Sequence, residues 1–533
     1  MDLTEEQTVL LNCVLYDPTL DGFEGLTLWE WAKRILARKS WYPSNIPPEQ
    51  QYGVDGNQRS GGMTFEEMQN VAKTILADPA LYSLRIANVT PRPTTSNKDG
   101  WHPVPNNATF TAPGTIIVAY MGTGGGDEWY DNGQGGYSGT TDTPDQKNAL
   151  IYFNQMMALY GQGCPTVITT GHSKGGNLAT YVAILSGGVV THSYNVDGQG
   201  FSYEFMLKYR DLIDQALRDG VLTTYACAMD FVNILFAAIM GQTFYTQAPD
   251  PPPDDVTLYH SPYSMLEVGP DGKLHLRPPA EQDPAITAAD SFIDYVQKFM
   301  SPDNFQLLCQ MAVGLAGGEL SIDDIFHPPS NWVEIIAKLI GAGVSSSIEV
   351  LQLVASWFDE PYDGLIIELC TLLEAFLSVG GIGPDAEDGL KTLLKQLFPG
   401  MAKLVDPIWW IVTKTLKDDG APVPYSAIAR DYSQSVYDEL IKLVDAVVPV
   451  NPPTNNPAVV DGFKPQLGQD EEDREQYYWL CIKLGQVTRQ QIDRIFTDVR
   501  EEDSLHASSM SPLTQGMETT LLNLKLFLSG FGG

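Results

Sequence analysis

The 533-residue chain has few basic side chains and no long uninterrupted apolar segment. Only 32 Lys and Arg residues stand against 66 Asp and Glu, which gives a formal net charge of −34. Such a charge disfavours binding to nucleic acid or to an anionic surface, so the expected partners are neutral, cationic or apolar. The most apolar segments, residues 231–241 and 331–357, are too short to span a bilayer or are interrupted by charged residues. We therefore expect no transmembrane helix.

Several short motifs are also missing. The six cysteines show no Cys-x-x-Cys spacing, which argues against a zinc site or a dense disulfide framework and favours free, mostly buried thiols. Neither glycine-rich nucleotide fingerprint occurs, so nucleotide binding is not expected. Residues 1–6 lack the basic start and apolar run of a signal peptide. These absences predict a cytoplasmic protein without metal or organic cofactor, with leaderless secretion as an alternative.

The periodicity of apolar residues changes along the chain. An N-terminal stretch with helical periodicity gives way to short β-rich runs that alternate with helical segments, and this alternation favours a mostly parallel sheet covered on both faces. The predicted strands are residues 115–120, 166–170, 193–196 and 222–226, with helices between them over 145–160 and 177–185. The expected organisation is an N-terminal helical segment packed on the core (1–95), an α/β core (96–284), a helical region (285–447), a proline-rich linker (448–458) and a C-terminal tail (459–533).

One serine lies in the context of a nucleophile elbow. Gly171-His172-Ser173-Lys174-Gly175 follows a β-branched run and precedes a helical one. A serine on so tight a turn adopts a strained backbone, and small residues two positions before and after it let the strand and helix approach closely. The alternative is a glycine-rich turn with an inert serine. The surrounding strand-helix alternation favours an α/β-hydrolase fold with Ser173 as nucleophile.

Such a serine needs a histidine base and an acid that orients it, in the chain order Ser, Asp/Glu, His. His260, in a loop-like break after the last predicted strands, is favoured as the base over His275. Asp230, soon after the strand 222–226, is favoured as the acid over Asp197, which follows the preceding strand. An ordinary turn or helix-cap role is the alternative for either aspartate.

The oxyanion of acyl transfer needs backbone donors. One is expected to be the amide of Lys174, the residue after the nucleophile. The other should come from the glycine-rich segment 122–126, which follows the strand 115–120. A flexible surface loop is the alternative interpretation of that segment.

At these residues the sequence resembles the lipase-like bacterial α/β-hydrolases of uncharacterised function that are related to the class 3, fungal-type lipases. The resemblance covers roughly residues 1–280, and its marks are the segments 119–123, 171–179, 195–201 and 260–264. It implies a triad of Ser173, Asp230 and His260, with Thr123 and Lys174 as oxyanion donors and an ester or lipid as substrate. The chain departs from the family pattern at Met121, at the glycines after Thr123, at Ser261 and in its long helical extension.

The function expected from these features is hydrolysis of carboxylic esters, such as lipid or acyl esters, through an acyl-enzyme intermediate. The substrate is a small molecule, met in solution or in transient contact with a lipid surface. The apolar run Phe231–Met240 is expected to be either a lid or acyl-pocket helix or an ordinary core helix. Alternative functions are a thioesterase or acyltransferase, a protein of the same fold that binds or assembles with little turnover, and a toxin-like lipase.

Overall fold

A computed structural model describes most of the first 400 residues. The described residues are 2–46, 51, 54–55, 57–90, 107–123, 131–133, 135–136, 141–239, 242–316, 320–327, 329–330, 353–378, 384–397, 405 and 409. The linker and the C-terminal tail expected from the sequence lie outside them.

An eight-stranded sheet forms the centre of the structure. Its members are β1 (Arg85–Thr90), β2 (Asn107–Ala112), β3 (Thr115–Tyr120), β4 (Thr166–His172), β5 (His192–Val196), β6 (Leu222–Cys227), β7 (Gln242–Thr246) and β10 (Pro279–Ala280), in the order β1-β2-β3-β4-β5-β6-β7-β10. Strands β3 to β7 run parallel, while β1, β2 and β10 join them antiparallel. A separate hairpin pairs β8 (Leu266–Val268) with β9 (Leu274–Leu276). The α/β architecture expected from the sequence is confirmed.

The described helices lie before, between and after these strands. They are α1 (Glu5–Val14), α2 (Leu28–Ala37), α3 (Phe65–Ala77), α4 (Pro79–Tyr82), α5 (Pro144–Tyr160), α6 (Lys174–Leu185), α7 (Tyr203–Lys208), α8 (Arg210–Arg218), α9 (Pro284–Phe299), α10 (Pro302–Ala316), α11 (Ile322–Ile325), α12 (Tyr362–Ser378) and α13 (Pro384–Leu397). Short 3-10 helices cover Leu20–Phe23, Val256–His260 and Pro262–Met265.

Four helices begin with the same local signal. Thr4, Thr27, Thr64 and Thr143 each cap a helix, and a Glu or Gln three residues later bonds back to the backbone of the cap. This reciprocal capping satisfies two amide groups that the first turn of a helix leaves without partners. The signal fixes where α1, α2, α3 and α5 begin.

The hydrophobic core lies between the sheet and the helices α5 and α6. Every residue of β3 is buried, and so is α6 from Lys174 to Ile184. A cluster of apolar side chains from β3, α5, α6 and the segment after β5 fills this layer, including Tyr120, Phe153, Leu178 and Phe201. Burial on this scale explains why the sequence of α6 has no polar face.

The chain divides into two compact units. The first comprises Met1–Asp294, Phe305–Ile322 and Asp385–Ala402, and the second Tyr295–Asn304, Asp323–Pro384 and Lys403–Gly533. In the second unit, Glu368 accepts hydrogen bonds from Ser301 and from the side chain of Asn304. The sheet lies entirely in the first unit.

Two expectations about local structure are wrong, and one strand has no counterpart among the predicted elements. The segment 1–95 is not only helical, because it ends in β1, which pairs with β2 through a bulge between Ile86 and Asn88. Strand β7 was not expected from the sequence. The run Phe231–Met240 forms turns and one bridge over its described residues 231–239, so it is neither a lid helix nor a core helix.

Candidate active site

Ser173 joins the end of β4 to the start of α6. Its backbone has φ 59° and ψ −132°, a conformation that favours glycine and costs another residue about 1–3 kcal/mol. A Cβ at Gly171 would collide with the backbone of Gly175, and a Cβ at Gly175 would collide with the backbone of Tyr120. The steric explanation of the glycine spacing is therefore confirmed.

His260 and Asp230 are joined by a hydrogen bond. Nδ1 of His260 lies 2.7 Å from Oδ1 of Asp230, whose side chain is fully buried. Oδ2 of Asp230 accepts from the amides of Val232, at 3.2 Å, and Asn233, at 2.7 Å. Because a carboxylate only accepts, the proton of the imidazole sits on Nδ1. Nε2 is buried and has no hydrogen-bond partner in the part of the chain that the structure describes.

His172, the residue before Ser173, is hydrogen-bonded to the backbone of His260. Its Nε2 lies 2.7 Å from the carbonyl oxygen of His260, and its Nδ1 lies 2.5 Å from the hydroxyl of Tyr16. The carbonyl can only accept, so Nε2–H donates to it and Nδ1 accepts from Tyr16. Burial and the neighbouring His260 hold the pKa of His172 well below its ordinary value. A neutral His172 therefore ties residue 260 to the elbow.

The two imidazole rings also contact each other. The ring centroids of His172 and His260 are 4.7 Å apart, with the planes tilted by 33°. Tyr16 packs edge-on against the ring of His172, with the ring centroids 5.4 Å apart. The contact between the two imidazole rings places His260 next to the residue that precedes Ser173.

The segment after β3 approaches Ser173 closely. A Cβ at Gly122 would lie 2.9 Å from Cβ of Ser173 and 2.6 Å from the hydroxyl of Tyr16, so only glycine fits there. Oγ1 of Thr123 accepts a hydrogen bond of 2.7 Å from Nδ2 of Asn132. Since that oxygen accepts from Asn132, its own hydrogen is directed elsewhere. Gly124, Gly125 and Gly126 lie outside the described residues.

Lys174 is the first residue of α6, where helical N–H groups point out of the helix end. Its side chain is buried, and Nζ lies 2.6 Å from Oδ2 of Asp131 and 2.8 Å from Oδ2 of Asp145. Asp131 also accepts from the amide of Asp145 through Oδ1. These ion pairs fix the segment that carries Asn132 to the elbow.

The two rival residues occupy different surroundings. His275, on β9, is exposed and contacts Asp271 at 3.0 Å and Glu6 at 3.3 Å. The hydrogen bond to Asp271 is the main cause that raises the pKa of His275. Asp197, at the end of β5, is buried and accepts from the amide of Cys227 at 2.9 Å. Among the described residues, the hydrogen-bond partner of Nδ1 of His260 is Asp230 and not Asp197.

The described parts of the chain contain no candidate metal centre. No group of three or more His, Cys, Asp or Glu side chains suited to a metal ion occurs there. Cys13, Cys227 and Cys309 are buried free thiols, Cys370 is buried and Cys164 is partly buried, while Cys481 lies outside the described residues. Over the same residues, no helix is both long and apolar enough to cross a bilayer.

Three residues of the site carried no assigned role in the sequence. Tyr16 and Asn132 lie far from the elbow in the chain and belong to no recognisable motif. His172 lies inside the elbow motif, but the position between Gly171 and Ser173 accepts many residue types. Only the fold shows that Tyr16, from the segment after α1, meets both His172 and the glycine after β3.

A family model described as Mbeg1-like matches residues 106–217. The matched segment contains Thr123, Ser173 and Lys174 but ends before Asp230 and His260. Comparison of the chain with curated proteins and with solved structures gives no match.

Proposed function

We propose that the protein is a serine hydrolase that cleaves carboxylic esters, with Ser173 as nucleophile, His260 as general base and Asp230 as the acid that orients the base. The single observation that carries this proposal is the pair formed by His260 and Asp230. The pair leaves Nε2 of His260 buried and without a hydrogen-bond partner among the described residues. The neighbouring elbow holds Ser173 in a strained backbone conformation. A base with its proton on Nδ1 and a vacant Nε2 is what activation of a serine requires.

In the proposed reaction, Oγ of Ser173 attacks the ester carbonyl while Nε2 of His260 takes the hydroxyl proton. The imidazolium that forms is stabilised by the buried carboxylate of Asp230. When the tetrahedral intermediate collapses, the carbon–oxygen bond to the alcohol breaks and His260 returns the proton to the leaving alcohol. Water then attacks the acyl-enzyme with His260 again as base, which releases the acid and regenerates Ser173.

The negative oxygen of the intermediate needs donors that are already in place. We propose the amide of Lys174 as one and Thr123 as the other, the latter held by Asn132. The buried ion pairs of Lys174 with Asp131 and Asp145 support this arrangement because they fix the supporting segment to the elbow. Removing one oxyanion donor typically lowers kcat by about 10² to 10³.

Lipid or acyl esters are the substrate class that we propose. The resemblance to class 3 lipases supports it, and the net charge of −34 favours neutral esters over anionic ones. A panel of nitrophenyl esters with short and long acyl chains, run beside the matching thioesters, distinguishes an esterase from a thioesterase. We expect the esters to be turned over faster.

The proposal is tested with a fluorophosphonate probe, which reacts with activated serines. We expect the wild type to be labelled and the Ser173→Ala variant to be unlabelled. Ser83→Ala is the matched control, because Ser83 is exposed and its hydroxyl bonds locally, to the carbonyl of Ala80. Labelling that survives in Ser173→Ala, or a wild type that does not react, would contradict the proposal.

A further inference from the structure

Asp197 is a buried carboxyl group with one oxygen left unsatisfied. The residue has 0% relative exposure, and Oδ1 accepts from the amide of Cys227 at 2.9 Å. Oδ2 has no hydrogen-bond donor in the described structure. A buried carboxylate oxygen without a donor costs considerable free energy, whereas a protonated carboxyl has a hydrogen of its own to place. The geometry therefore favours the neutral form of Asp197.

The acceptor for that hydrogen is Asp230, whose side chain lies within hydrogen-bonding reach of Asp197. Asp230 has three donors for its charge: Nδ1 of His260 and the amides of Val232 and Asn233. Asp197 has one. When two carboxyl groups share a buried site they do not both ionise, and the proton stays on the one whose charge is less well supported.

The other titratable groups around this pair are uncharged at neutral pH. They are Cys227 at the end of β6 and Tyr245 on β7, both with a pKa raised to about 12, mainly by burial. Within the described residues, no Lys or Arg forms an ion pair with Asp197. Burial first, and then the charge of Asp230, raise the pKa of Asp197 well above its ordinary value.

We propose that Asp197 is a protonated positioning residue that donates a hydrogen bond to the carboxylate of Asp230 and holds it against His260. This inference rests on the proposed function. The proton remains on Asp197 throughout, and Asp230 stays ionised while the imidazolium forms beside it. Asp197 touches neither the substrate nor the reacting atoms, and it acts only through Asp230.

The protonation state can be measured without any turnover. Infrared spectra of the wild type and of Asp197→Asn are compared near neutral pH, with both proteins also in heavy water. We expect the wild type to show the carbonyl band of a neutral carboxylic acid, shifted in heavy water, and the variant to lack it. The same band is expected in a Ser173→Ala background, so this measurement stands even if the serine is not a nucleophile. A difference spectrum with carboxylate bands alone would overturn the proposal.

The positioning role is measured by the rate of fluorophosphonate labelling. Asp197→Asn keeps a carbonyl for Cys227 and supplies an amide donor to Asp230, so we expect it to retain most of the wild-type rate. Asp197→Leu has similar size but no donor, and we expect a rate about ten- to a hundredfold lower. Asp230→Asn, which removes the ionised acid itself, is expected to lower the rate by about 10⁴.

The pH profile separates this role from simple packing. At alkaline pH the wild-type rate should fall as Asp197 loses its proton and the two carboxylates repel, whereas Asp197→Asn should have no such decline. The inference is overturned if Asp197→Asn loses as much as Asp230→Asn, if Asp197→Leu labels like the wild type, or if the alkaline limbs of wild type and Asp197→Asn coincide. Equal labelling of wild type and Ser173→Ala would instead contradict the proposed function.

Discussion

The backbone of Ser173 is strained. A substitution that relieves this strain should raise the free energy of unfolding while it abolishes activity. Ser173→Gly relieves about 1–3 kcal/mol of strain and loses about 0.5–1 kcal/mol through the greater flexibility of glycine in the unfolded chain. We expect the free energy of unfolding of Ser173→Gly to exceed that of Ser173→Ala by about 1 kcal/mol, measured by urea denaturation. Both variants lack the hydroxyl, so a Ser173→Gly variant that is less stable than Ser173→Ala would argue against strain.

Asp197 has a raised pKa in the folded protein, and this has a consequence for stability. A carboxyl whose folded pKa lies above its unfolded value stabilises the fold least at high pH, because ionising it in the folded state is costly. We expect Asp197→Asn to have a higher melting temperature than the wild type at neutral and alkaline pH. The difference should shrink toward pH 4, near the unfolded pKa of aspartate. A constant difference at all pH values would contradict this account.

The hydroxyl of Tyr16 donates a hydrogen bond to the buried Nδ1 of His172. Tyr16→Phe leaves that nitrogen unpaired, which costs about 1–3 kcal/mol, and loosens the contact between His172 and the carbonyl of His260. We expect lower stability and slower probe labelling. Tyr160→Phe, which removes an exposed hydrogen bond to Ala87, is the control and should change neither.

At the scale of elements, the segment after β3 supplies the proposed oxyanion donor Thr123. Thr123→Val removes the hydroxyl while keeping the shape of the side chain, and we expect kcat for a nitrophenyl ester to fall by about 10² to 10³. Thr123→Ser keeps the hydroxyl within reach of Asn132 and should retain most of the activity. Equal kcat values for the two variants would show that the hydroxyl is not the donor and that the backbone of the segment supplies it.

The elements around the site differ in how far the sequence predicts them. The turn from β4 into α6 has a local signal, since Gly171 and Gly175 are dictated by a steric conflict that lies within the motif and its neighbouring strand. The helix α5 likewise begins at a capping box at Thr143. Such features depend on residues near one another in the chain, and these are the elements that the sequence predicted correctly.

The errors arise where specific contacts, rather than the periodicity of apolar residues, decide the backbone. The apolar run after Asp230 looks helical, but the carboxylate of Asp230 binds the amides of Val232 and Asn233, and Ala237 pairs with Phe201. Phe236 also has a positive φ of 68°, which ends any helix there. Strand β7 is short and pairs with β6 on one side and β10 on the other, so its existence depends on the sheet.

The site itself shows the same division. Asp230 and His260 were favoured from their positions after predicted strands, and the structure brings these two together. No sequence pattern assigns a role to Tyr16, His172 or Asn132. Each acts on the site through contacts that exist only in the folded structure. The raised pKa of Asp197 likewise depends on burial, which no local pattern of residues reveals.

At the scale of the whole molecule, the net charge of −34 predicts a dependence of stability on salt. Like charges repel one another more in the compact state than in the unfolded chain. The Debye length falls from about 30 Å at 0.01 M to about 8 Å at 0.15 M salt. We therefore expect the melting temperature to rise with sodium chloride over this range, measured by calorimetry. A flat or falling response would show that attractive pairs outweigh the repulsion.

We propose that a single serine of this chain, Ser173, is chemically activated by His260. The most direct test is mass spectrometry of peptides from the fluorophosphonate-treated protein, run on the wild type and on His260→Ala. We expect a single adduct, on Ser173, that forms in the wild type and is nearly lost in His260→Ala. An adduct on another residue, or one on Ser173 that forms equally fast without His260, would contradict it.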